Sequence, residues 1–504
     1  MKNQSAFPSD ERSRLSSAPR SLALWLFATF QFFYLLTSTG RVRTPDEYNT
    51  LYTTESLVLR HTTAVPQAVS LHNFYGRIDI HGQPRAAYPP GQALAVAPWY
   101  AFGQYVLARL PGVPHNPPNN DDTDLIVAFA SCLSSATFAA LTVTFFFLLL
   151  AGIGIPANPA LMATALLGLA TPIFAYSAWL FSEPLSAAIL TGVACLLFIR
   201  KSNPLSPQTA AVAGLILGLS TLVRPTNVLA IALFAVAIFV RDGKSALKAA
   251  ITFSVASAIG FGLLLAHNAI LFGSPLAFGY PSVAEGAKRL NSFDTPLLKG
   301  LYGFLFSPGK SIFVFAPPIV LALFGLRGLF RRDRALATLA VLFPLVYLFF
   351  FAKYSQWEGG YCVGPRYLVP ALVFLSLGLG PALAESRALT KFLAAALFVA
   401  GALVQFISIA TSFMEDQAPR GHYYDASWTY RLNYSLSGQI HLFFKYLSSP
   451  EPARLGLGWD RWFVFLAKGG ISRATLAVIF AAMALGFVIS LLGLAKAIAS
   501  AHEP

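Results

Sequence analysis

Residues 21–48 read SLALWLFATFQFFYLLTSTGRVRTPDEY, an uncharged apolar run followed closely by an acidic pair. The apolar part, Ser21–Thr39, is as long as a helix must be to cross about 30 Å of hydrocarbon. Backbone amides in lipid have to be paired within their own segment, so the run predicts a helix. Basic residues precede it and no small-residue cleavage site follows, which favours a first membrane span with a cytoplasmic N-terminus over a signal peptide.

The composition of the whole chain also indicates a membrane protein. Of 504 residues, 56% are hydrophobic and 12% are charged, whereas soluble globular proteins carry about 25% charged residues. The sequence therefore predicts an all-α polytopic membrane protein with about 12 transmembrane helices. After the first span, apolar runs are centred near residues 138, 170, 191, 216, 232, 260, 320, 343, 375, 402 and 484.

The formal net charge is +14, which could indicate a nucleic-acid partner. Many of the Lys and Arg residues, however, lie in short loops between apolar runs, where they set the orientation of the spans. We therefore expect the lipid bilayer, and no nucleic acid, around this chain.

The stretch Gln92–Leu110 decides which side the loops face. It is apolar but is interrupted by Pro98, Gly103 and Gln104. If it does not span, four basic clusters fall in the cytoplasm, as the positive-inside rule requires; if it spans, all four face outward. We therefore expect an interfacial helix here and both termini in the cytoplasm. The clusters are Arg200/Lys201, Arg241/Lys244/Lys248, Arg327/Arg331/Arg332/Arg334 and Arg387/Lys391.

This topology divides the chain into four parts. Residues 1–21 form a cytoplasmic tail, and residues 22–413 form a transmembrane core whose large first loop, 40–124, is extracytoplasmic and contains interfacial helices. Residues 414–472 form a second extracytoplasmic segment, and residues 473–504 the last span and a cytoplasmic tail. We find no strong sign of two homologous halves, which many transporters have. The asymmetry favours chemistry at the outer surface of a cell (inner or plasma) membrane.

Two interpretations of the pair Asp46 and Glu47 remain open. Paired carboxylates at a membrane surface can act as a general base or bind a metal ion. The same residues after Pro45 are also typical of a helix start, because the helix dipole favours acidic side chains in the first turn.

Arg224 and Glu183 each adjoin an apolar run at an outer turn. A fixed guanidinium at the outer leaflet would hold a lipid phosphate, although an arginine near the interface also simply snorkels to water. We expect Ser182 to cap the helix that follows. Glu183, next to it, could orient a site residue. Other polar and aromatic residues reach the same outer face, where several of them converge. These are Tyr88, His267, Lys310, Trp357, Tyr361 and Arg366.

The order of short motifs then becomes informative. Asp46-Glu47 is followed by Tyr88-Pro89-Pro90-Gly91, Ser182-Glu183-Pro184, Arg224-Pro225-Thr226-Asn227, Ser307-Pro308-Gly309-Lys310, Trp357-Glu358-Gly359-Gly360 and Gly364-Pro365-Arg366-Tyr367. This order resembles that of the GT-C fold membrane glycosyltransferases, in the bacterial branch similar to protein O-mannosyltransferases and lipid A aminoarabinose transferases. The resemblance covers roughly Leu22 to Leu383, and the segment beyond Phe413 matches nothing in that family.

The resemblance implies a GT-C-like fold and a transferase that moves a sugar from a polyprenyl-phosphate donor to an extracytoplasmic acceptor, which is a glycan, a lipid or a protein. Asp46 would be the general base that deprotonates the acceptor hydroxyl. Glu47 would support Asp46 or share a divalent metal ion with it, since some relatives use a metal and others do not. No cofactor is implied with certainty.

The remaining roles follow from the same resemblance. Arg224, Lys310 and Arg366 would bind the donor phosphate and stabilise the charge that develops on it. Five more residues would contact the substrates, among which the aromatic pair of the glycine-rich loop would stack on the sugar or the isoprenoid. They are Tyr88, Glu183, His267, Trp357 and Tyr361.

Three alternatives stay open from the sequence. A flippase or transporter of lipid-linked sugars would need polar groups near the bilayer centre, whereas these spans are largely apolar there. A non-catalytic protein that binds polyprenyl lipids during envelope assembly would not need the pair Asp46 and Glu47. A polymerase or ligase of surface polysaccharide would differ in its acceptor more than in its chemistry.

Overall fold

The computed structural model describes residues 9–72, 74–114, 124–199, 205–281, 292–360, 362–385, 387–412, 436–448 and 460–500. This part of the chain is mostly helical, and short 3₁₀ turns join several of the helices. The helices are α1 Ser9–Thr37, α2 Pro45–Arg60, α3 Pro66–Ser70, α4 Gly91–Tyr105, α5 Leu125–Gly152, α6 Ala157–Ala170, α7 Pro172–Tyr176, α8 Glu183–Phe198, α9 Pro207–Leu219, α10 Val228–Asp242, α11 Leu247–Phe272, α12 Leu297–Phe306, α13 Ile312–Phe315, α14 Ile319–Arg332, α15 Arg334–Lys353, α16 Val369–Leu375, α17 Leu379–Ala384, α18 Ala388–Ala410, α19 Leu436–Ser448, α20 Trp462–Lys468 and α21 Arg473–Ser500.

Six helical stretches are long and apolar enough to cross a membrane, among the residues that the structure describes. They are Leu125–Gly152, Pro225–Phe272, Arg334–Lys353, Arg366–Ala384, Ala388–Ala410 and Arg473–Ser500. The chain is thus a multi-pass membrane protein. Every predicted span centre falls within a helix, but several of these helices, such as α6 and α8, are shorter. The total of twelve spans therefore stays a prediction.

A two-stranded antiparallel sheet is present in the first long loop. Strands β1 Gly76–Ile78 and β2 Pro84–Ala86 pair in the register Gly76 with Ala86. The turn contains Gly82 at a φ of 78°, a conformation that glycine adopts without a steric penalty. This hairpin is the exception to the all-α prediction within the described ranges.

Asp79 holds the hairpin together. Its Oδ1 accepts hydrogen bonds from the backbone amides of His81 and Gln83, each at 2.8 Å, and its Oδ2 accepts one from Arg85 Nε at 2.7 Å. Burial alone would raise the pKa of Asp79, but these hydrogen bonds and the charge of Arg85 lower it overall. Asp79 therefore stays ionised and fixes the turn. The Ile80 amide then donates to the Leu271 carbonyl at 2.9 Å, which docks the hairpin on the end of α11.

Two predicted segments differ in their bounds. The stretch Gln92–Leu110 forms α4, which ends at Tyr105 and packs against α2 and α5, followed by a 3₁₀ turn at Leu107–Arg109. The first helix begins at Ser9, so it extends into the predicted tail 1–21. Much of the predicted segment 414–472 lies outside the described residues, which include α19 and α20 there.

Small residues allow α9 and α11 to pack closely. Gly214 and Gly218 of α9 face the backbone of Phe253 and Ser257 on α11, and Gly260 of α11 faces the Gly218 backbone in return. A Cβ atom on Gly260 would lie 2.6 Å from the Leu219 nitrogen, closer than unbonded atoms can approach. Glycines at such crossings let helix backbones meet in a membrane.

We expect Gly260→Ala to destabilise the protein, because the added methyl group has to push two backbones apart. Gly262→Ala on the same helix is the matched control, since nothing lies within 4 Å of the added Cβ. The control should be neutral or stabilising by up to about 1 kcal/mol, the helix-propensity difference between the two residues. Thermal unfolding in detergent micelles measures both. Equal midpoints for the two variants would contradict the close crossing.

Candidate active site

One large cavity, of about 930 Å³, opens where the loops gather at one end of the helices. Its wall combines parts of the chain that are far apart in sequence: the start of α2, the turns before α8 and α10, and the C-terminal end of α15. The charged residues in this wall are Asp46, Arg224 and Arg366. The volume is within the range of pockets for small-molecule ligands.

Asp46 reaches the cavity from the first turn of α2. Thr44 caps this helix, since its side chain accepts a hydrogen bond from the Glu47 amide, and Pro45 occupies the first helical position. Asp46 Oδ2 lies 2.5 Å from Arg366 Nη1, and its Oδ1 accepts a hydrogen bond from the Tyr88 hydroxyl. The Asp46 side chain keeps 21% of its surface exposed, so ligands in the cavity can reach it.

Glu47 points away from the cavity and is fully buried. Its Oε2 accepts the backbone amides of Arg43 and Thr44, each at 3.0 Å, which completes a capping box. Its Oε1 accepts the Leu180 amide at 3.1 Å. Glu47 thus ties α2 to the turn before α8. The two interpretations of the acidic pair therefore divide between its members, with Glu47 starting the helix and Asp46 facing the cavity.

Glu183 lies between the two arginines. It is the first residue of α8 and is fully buried. Its Oε1 accepts hydrogen bonds from Arg224 Nη1 and from Arg366 Nε, the latter at 2.7 Å. Ser182 occupies the N-cap position but makes no capping hydrogen bond, contrary to the prediction. Its hydroxyl instead accepts from Arg224 Nη1 at 3.5 Å.

The four charged groups form one continuous series of ion pairs. Asp46 pairs with Arg366, Arg366 pairs with Glu183, and Glu183 pairs with Arg224. Two negative and two positive charges balance, which offsets the cost of removing them from water. Aromatic rings fix the guanidinium planes as well: Arg366 lies 4.2 Å from the Phe181 ring centroid, and Arg224 lies 5.5 Å from that of Tyr367.

Three tyrosines line the cavity beside Asp46. The Tyr88 ring meets the Tyr280 ring edge-on at 5.6 Å, and Tyr75 lies 6.5 Å from each of them. Burial raises the pKa of Tyr88 well above its usual value, and the negative charge of Asp46 raises it further. Burial likewise raises the pKa of Tyr280. Both phenols therefore stay protonated and act as hydrogen-bond donors.

Part of the cavity wall is apolar. Phe350 and Phe351, from the C-terminal end of α15, and Phe293 line it. A ligand with a charged group and a hydrocarbon part would thus find a matching surface for each in the same cavity.

Two of the predicted site residues support the cavity from outside. Lys310 is buried, and its Nζ donates to the Cys362 carbonyl at 2.7 Å and lies 3.2 Å from Cys362 Sγ. Trp357 is buried, with its ring 5.6 Å from that of Phe304. Neither side chain lines the cavity. Both stabilise the loop that carries Arg366.

His267 lines a separate, much smaller recess beside Arg85 and Asn268. Its Nδ1 lies 3.3 Å from the Asn268 side-chain oxygen. Tyr361, the last predicted substrate contact, lies outside the described residues. The nearby Gly359 and Gly360 do line the cavity, with φ angles of 83° and 66°.

Sequence reasoning missed several residues of the cavity wall. Tyr280 and Tyr354 stand alone in loops without any motif around them, and the sequence predicts Gln92 only as part of an interfacial helix. Tyr75 lies in a loop stretch that ordinary loop architecture explains equally well. The signal that could have found them is a concentration of tyrosines in the predicted outer loops.

The acidic pair does not form a metal site with this geometry. Asp46 and Glu47 direct their carboxylates to different partners, Tyr88 and Arg366 for the first and backbone amides for the second. Within the ranges that the structure describes, no group of three His, Cys, Asp or Glu side chains is arranged to hold a metal ion. We therefore derive no step that involves a metal.

Comparisons with known proteins give a structural similarity. The chain is similar to two solved structures of ArnT from Cupriavidus metallidurans, one bound to undecaprenyl phosphate and one in the apo state. Identity to the first is 14%, with a TM-score of 0.48 over 94% of this chain and 76% of ArnT. For the second structure the identity is 14% and the TM-score is 0.49, over 92% of this chain and 74% of ArnT. No protein-family model and no curated protein matches.

Because both TM-scores are below 0.5, the activity of this chain has to be argued from its own cavity.

We expect Glu183→Gln to destabilise the protein strongly. The substitution keeps the shape of the side chain but removes the charge that both buried arginines share, and losing one partner of a buried ion pair costs about 3–5 kcal/mol. The matched control is Glu385→Gln, because Glu385 is 54% exposed and pairs at 3.7 Å with Arg332, which is 30% exposed. That control should lose only about 0–1 kcal/mol. Chemical unfolding in mixed micelles provides the comparison, and equal losses would argue against a central role for Glu183.

Proposed function

We propose that this protein is a membrane glycosyltransferase that moves a sugar from a polyprenyl-phosphate donor to an acceptor hydroxyl. One observation carries the proposal: a reachable carboxylate, Asp46, and two fixed guanidiniums, Arg224 and Arg366, face the same cavity in a membrane protein. Transfer from a lipid phosphate needs a base on one side of the anomeric carbon and positive charge on the other.

Asp46 is the proposed general base. It accepts the proton of the acceptor hydroxyl while the hydroxyl oxygen attacks the anomeric carbon. The bond from that carbon to the phosphate oxygen breaks, and its electron pair leaves with the polyprenyl phosphate. The Tyr88 hydroxyl donates to the other oxygen of Asp46, which orients the carboxylate toward the reacting atoms.

Arg224 and Arg366 are the proposed phosphate-binding residues. The departing phosphate gains a negative charge as the bond breaks, and preorganised cations stabilise that charge without having to move. Glu183 keeps both guanidiniums in place by accepting from each of them. We do not include Lys310 in this site, because its ammonium group is directed to the Cys362 carbonyl.

The rest of the cavity suits the other parts of such a donor. An isoprenoid chain matches the apolar wall of Phe293, Phe350 and Phe351, whereas a sugar ring matches the tyrosines beside Asp46. Aromatic rings with a polar end offer both an apolar face and a hydrogen-bond donor.

We propose that the cavity faces the extracytoplasmic side and that both termini are cytoplasmic. Helix α10 starts beside the cavity-lining Pro225 and ends at Asp242 next to Lys244. Helix α15 runs the other way, from Arg334 to the cavity at Phe351. Basic residues thus gather at the helix ends opposite the cavity, and the positive-inside rule puts those ends in the cytoplasm.

The charges of this site favour transfer over transport. They meet at the ends of the helices, in a cavity walled by loops, rather than along a path through the bilayer centre. A protein that only holds polyprenyl lipids would need the arginines but no reachable carboxylate beside them. The acceptor class distinguishes a lipid or protein glycosyltransferase from a polysaccharide polymerase or ligase.

The test is sugar transfer by purified protein from radiolabelled polyprenyl-phosphate sugars to an envelope extract. We expect Asp46→Asn to lower the transfer rate by about 10²- to 10⁴-fold, the usual contribution of a general base. Asp294→Asn is the control, since Asp294 is an exposed carboxylate in the loop before α12 and does not line the cavity. It should transfer at the native rate.

Two results would argue against the proposal. Transfer by Asp46→Asn at the native rate would remove Asp46 as the base. Donor translocation in vesicles by a native protein that transfers no sugar would instead favour a flippase.

We further expect Arg224→Gln to weaken binding of the donor and to slow the chemical step as well. Arg224 contacts the phosphate both before and after the bond breaks, so KM should rise and kcat should fall by about 10-fold or more. Steady-state kinetics over a range of donor concentrations gives both values. A rise in KM with unchanged kcat would mean that Arg224 only helps the donor to bind.

A further inference from the structure

Both carboxylate oxygens of Asp46 have partners in the structure. Its Oδ2 pairs with Arg366 Nη1 at 2.5 Å, and its Oδ1 accepts from Tyr88. Taking up a proton would neutralise Asp46 and lose the ion pair with Arg366. The proposed base is therefore paired with the same guanidinium that is proposed to bind phosphate.

Arg366 has one buried partner, Glu183, and one partner that a ligand can reach, Asp46. Its Nε donates at 2.7 Å to Glu183, whose side chain is 0% exposed, whereas Asp46 is 21% exposed at the cavity surface. Its Nη1 also donates to the Gly359 carbonyl at 3.3 Å. An anion in the cavity can compete with Asp46 for Nη1 but has no access to Glu183. Exchange of one partner therefore leaves the arginine in place.

We infer that Arg366 acts as a latch on Asp46. The ion pair with Arg366 restrains the Asp46 carboxylate, and the phosphate of the donor frees Asp46 by replacing it as the partner of Arg366. The inference rests on the proposed function and adds regulation to it. Glu183 is the positioning residue that keeps Arg366 within reach of both partners. Asp46 is then released only when a donor is bound, so the donor binds before the acceptor is deprotonated.

Arg224 cannot serve as this latch. Its guanidinium donates to Glu183, to Ser182 and, through Nε at 3.4 Å, to Thr226. None of the ion pairs of Arg224 within the described ranges involves Asp46. The arginines thus differ in role, since Arg224 offers a constant positive charge and Arg366 exchanges one anion for another.

The test is a double-mutant cycle on binding of undecaprenyl phosphate to protein in nanodiscs, which needs no sugar and no transfer. Its four proteins are the native chain, Asp46→Asn, Arg366→Gln and the double variant. If Arg366 must leave Asp46 to bind phosphate, Asp46→Asn should tighten binding by about fivefold or more in the native background. In the Arg366→Gln background the same change should alter binding by less than about twofold.

The alternative explanation is simple repulsion between Asp46 and the phosphate. Repulsion would tighten binding equally in both backgrounds, and that result, like an unchanged affinity in both, overturns the latch. Asp294→Asn should bind like the native protein, and undecaprenol, which lacks the phosphate, should show no difference between variants. Thermal midpoints of all four proteins exclude unfolding as the cause.

A second measurement covers the case in which Arg366→Gln binds too weakly for the cycle. Carbodiimide labelling of ligand-free protein, read by peptide mass spectrometry, should modify Asp46 several-fold more in Arg366→Gln than in the native chain, with Asp294 as the internal reference. Equal labelling would overturn the latch. If the cycle shows coupling but no donor gives transfer, the latch stands and the proposed reaction fails. If Asp46→Asn loses transfer but the cycle shows no coupling, the proposed reaction stands and the latch fails.

Discussion

The site depends on a single carboxylate oxygen, Glu183 Oε1, which accepts from two guanidiniums at once. Two arginines side by side repel each other, and each is costly to bury alone. The shared oxygen makes their proximity favourable, and the position of Glu183 in the first turn of α8 adds the helix dipole to the stabilisation of its charge. Among the residues that the structure describes, no other carboxylate pairs with both arginines.

The helices explain how residues so distant in sequence meet. Asp46 and Glu183 each lie in the first turn of a helix, and Arg224 and Arg366 lie in turns that lead into helices. Since membrane helices run from one face to the other, the helices that start at one face bring their first turns to the same surface, and the loop helix α2 adds Asp46 there. The core of the protein thus aligns the helix ends, and the residues proposed for the chemistry lie in the turns at those ends.

The sequence predicted the helices and the main charges, because both follow from local patterns. Apolar length places a span, and a charged residue next to a span lies near the surface. The direction of a side chain is harder to predict. Asp46 and Glu47 are neighbours on α2, and successive helical residues point about 100° apart. One therefore faces the cavity while the other turns into the protein, and no composition rule says which.

Burial depth is also hard to predict from sequence. Lys310 and Trp357 are buried and do not line the cavity, and the Lys310 ammonium group donates to the Cys362 carbonyl in the loop that leads to Arg366. Asp46 and Arg366 are far apart in sequence, so no local sequence pattern indicates that they pair. Tertiary packing decides such contacts, so a structure was needed to find them.

Charge conservation connects the site to its proposed reaction. The set of Asp46, Glu183, Arg224 and Arg366 is neutral as it stands, and a phosphodiester donor would add one negative charge. When Asp46 takes the acceptor proton, its charge disappears as a second negative charge appears on the departing phosphate. The total is the same before and after, while the negative charge moves from a carboxylate to a group held by both arginines. A buried site of fixed dipoles can catalyse such a transfer, because its surroundings need not reorganise around a new net charge.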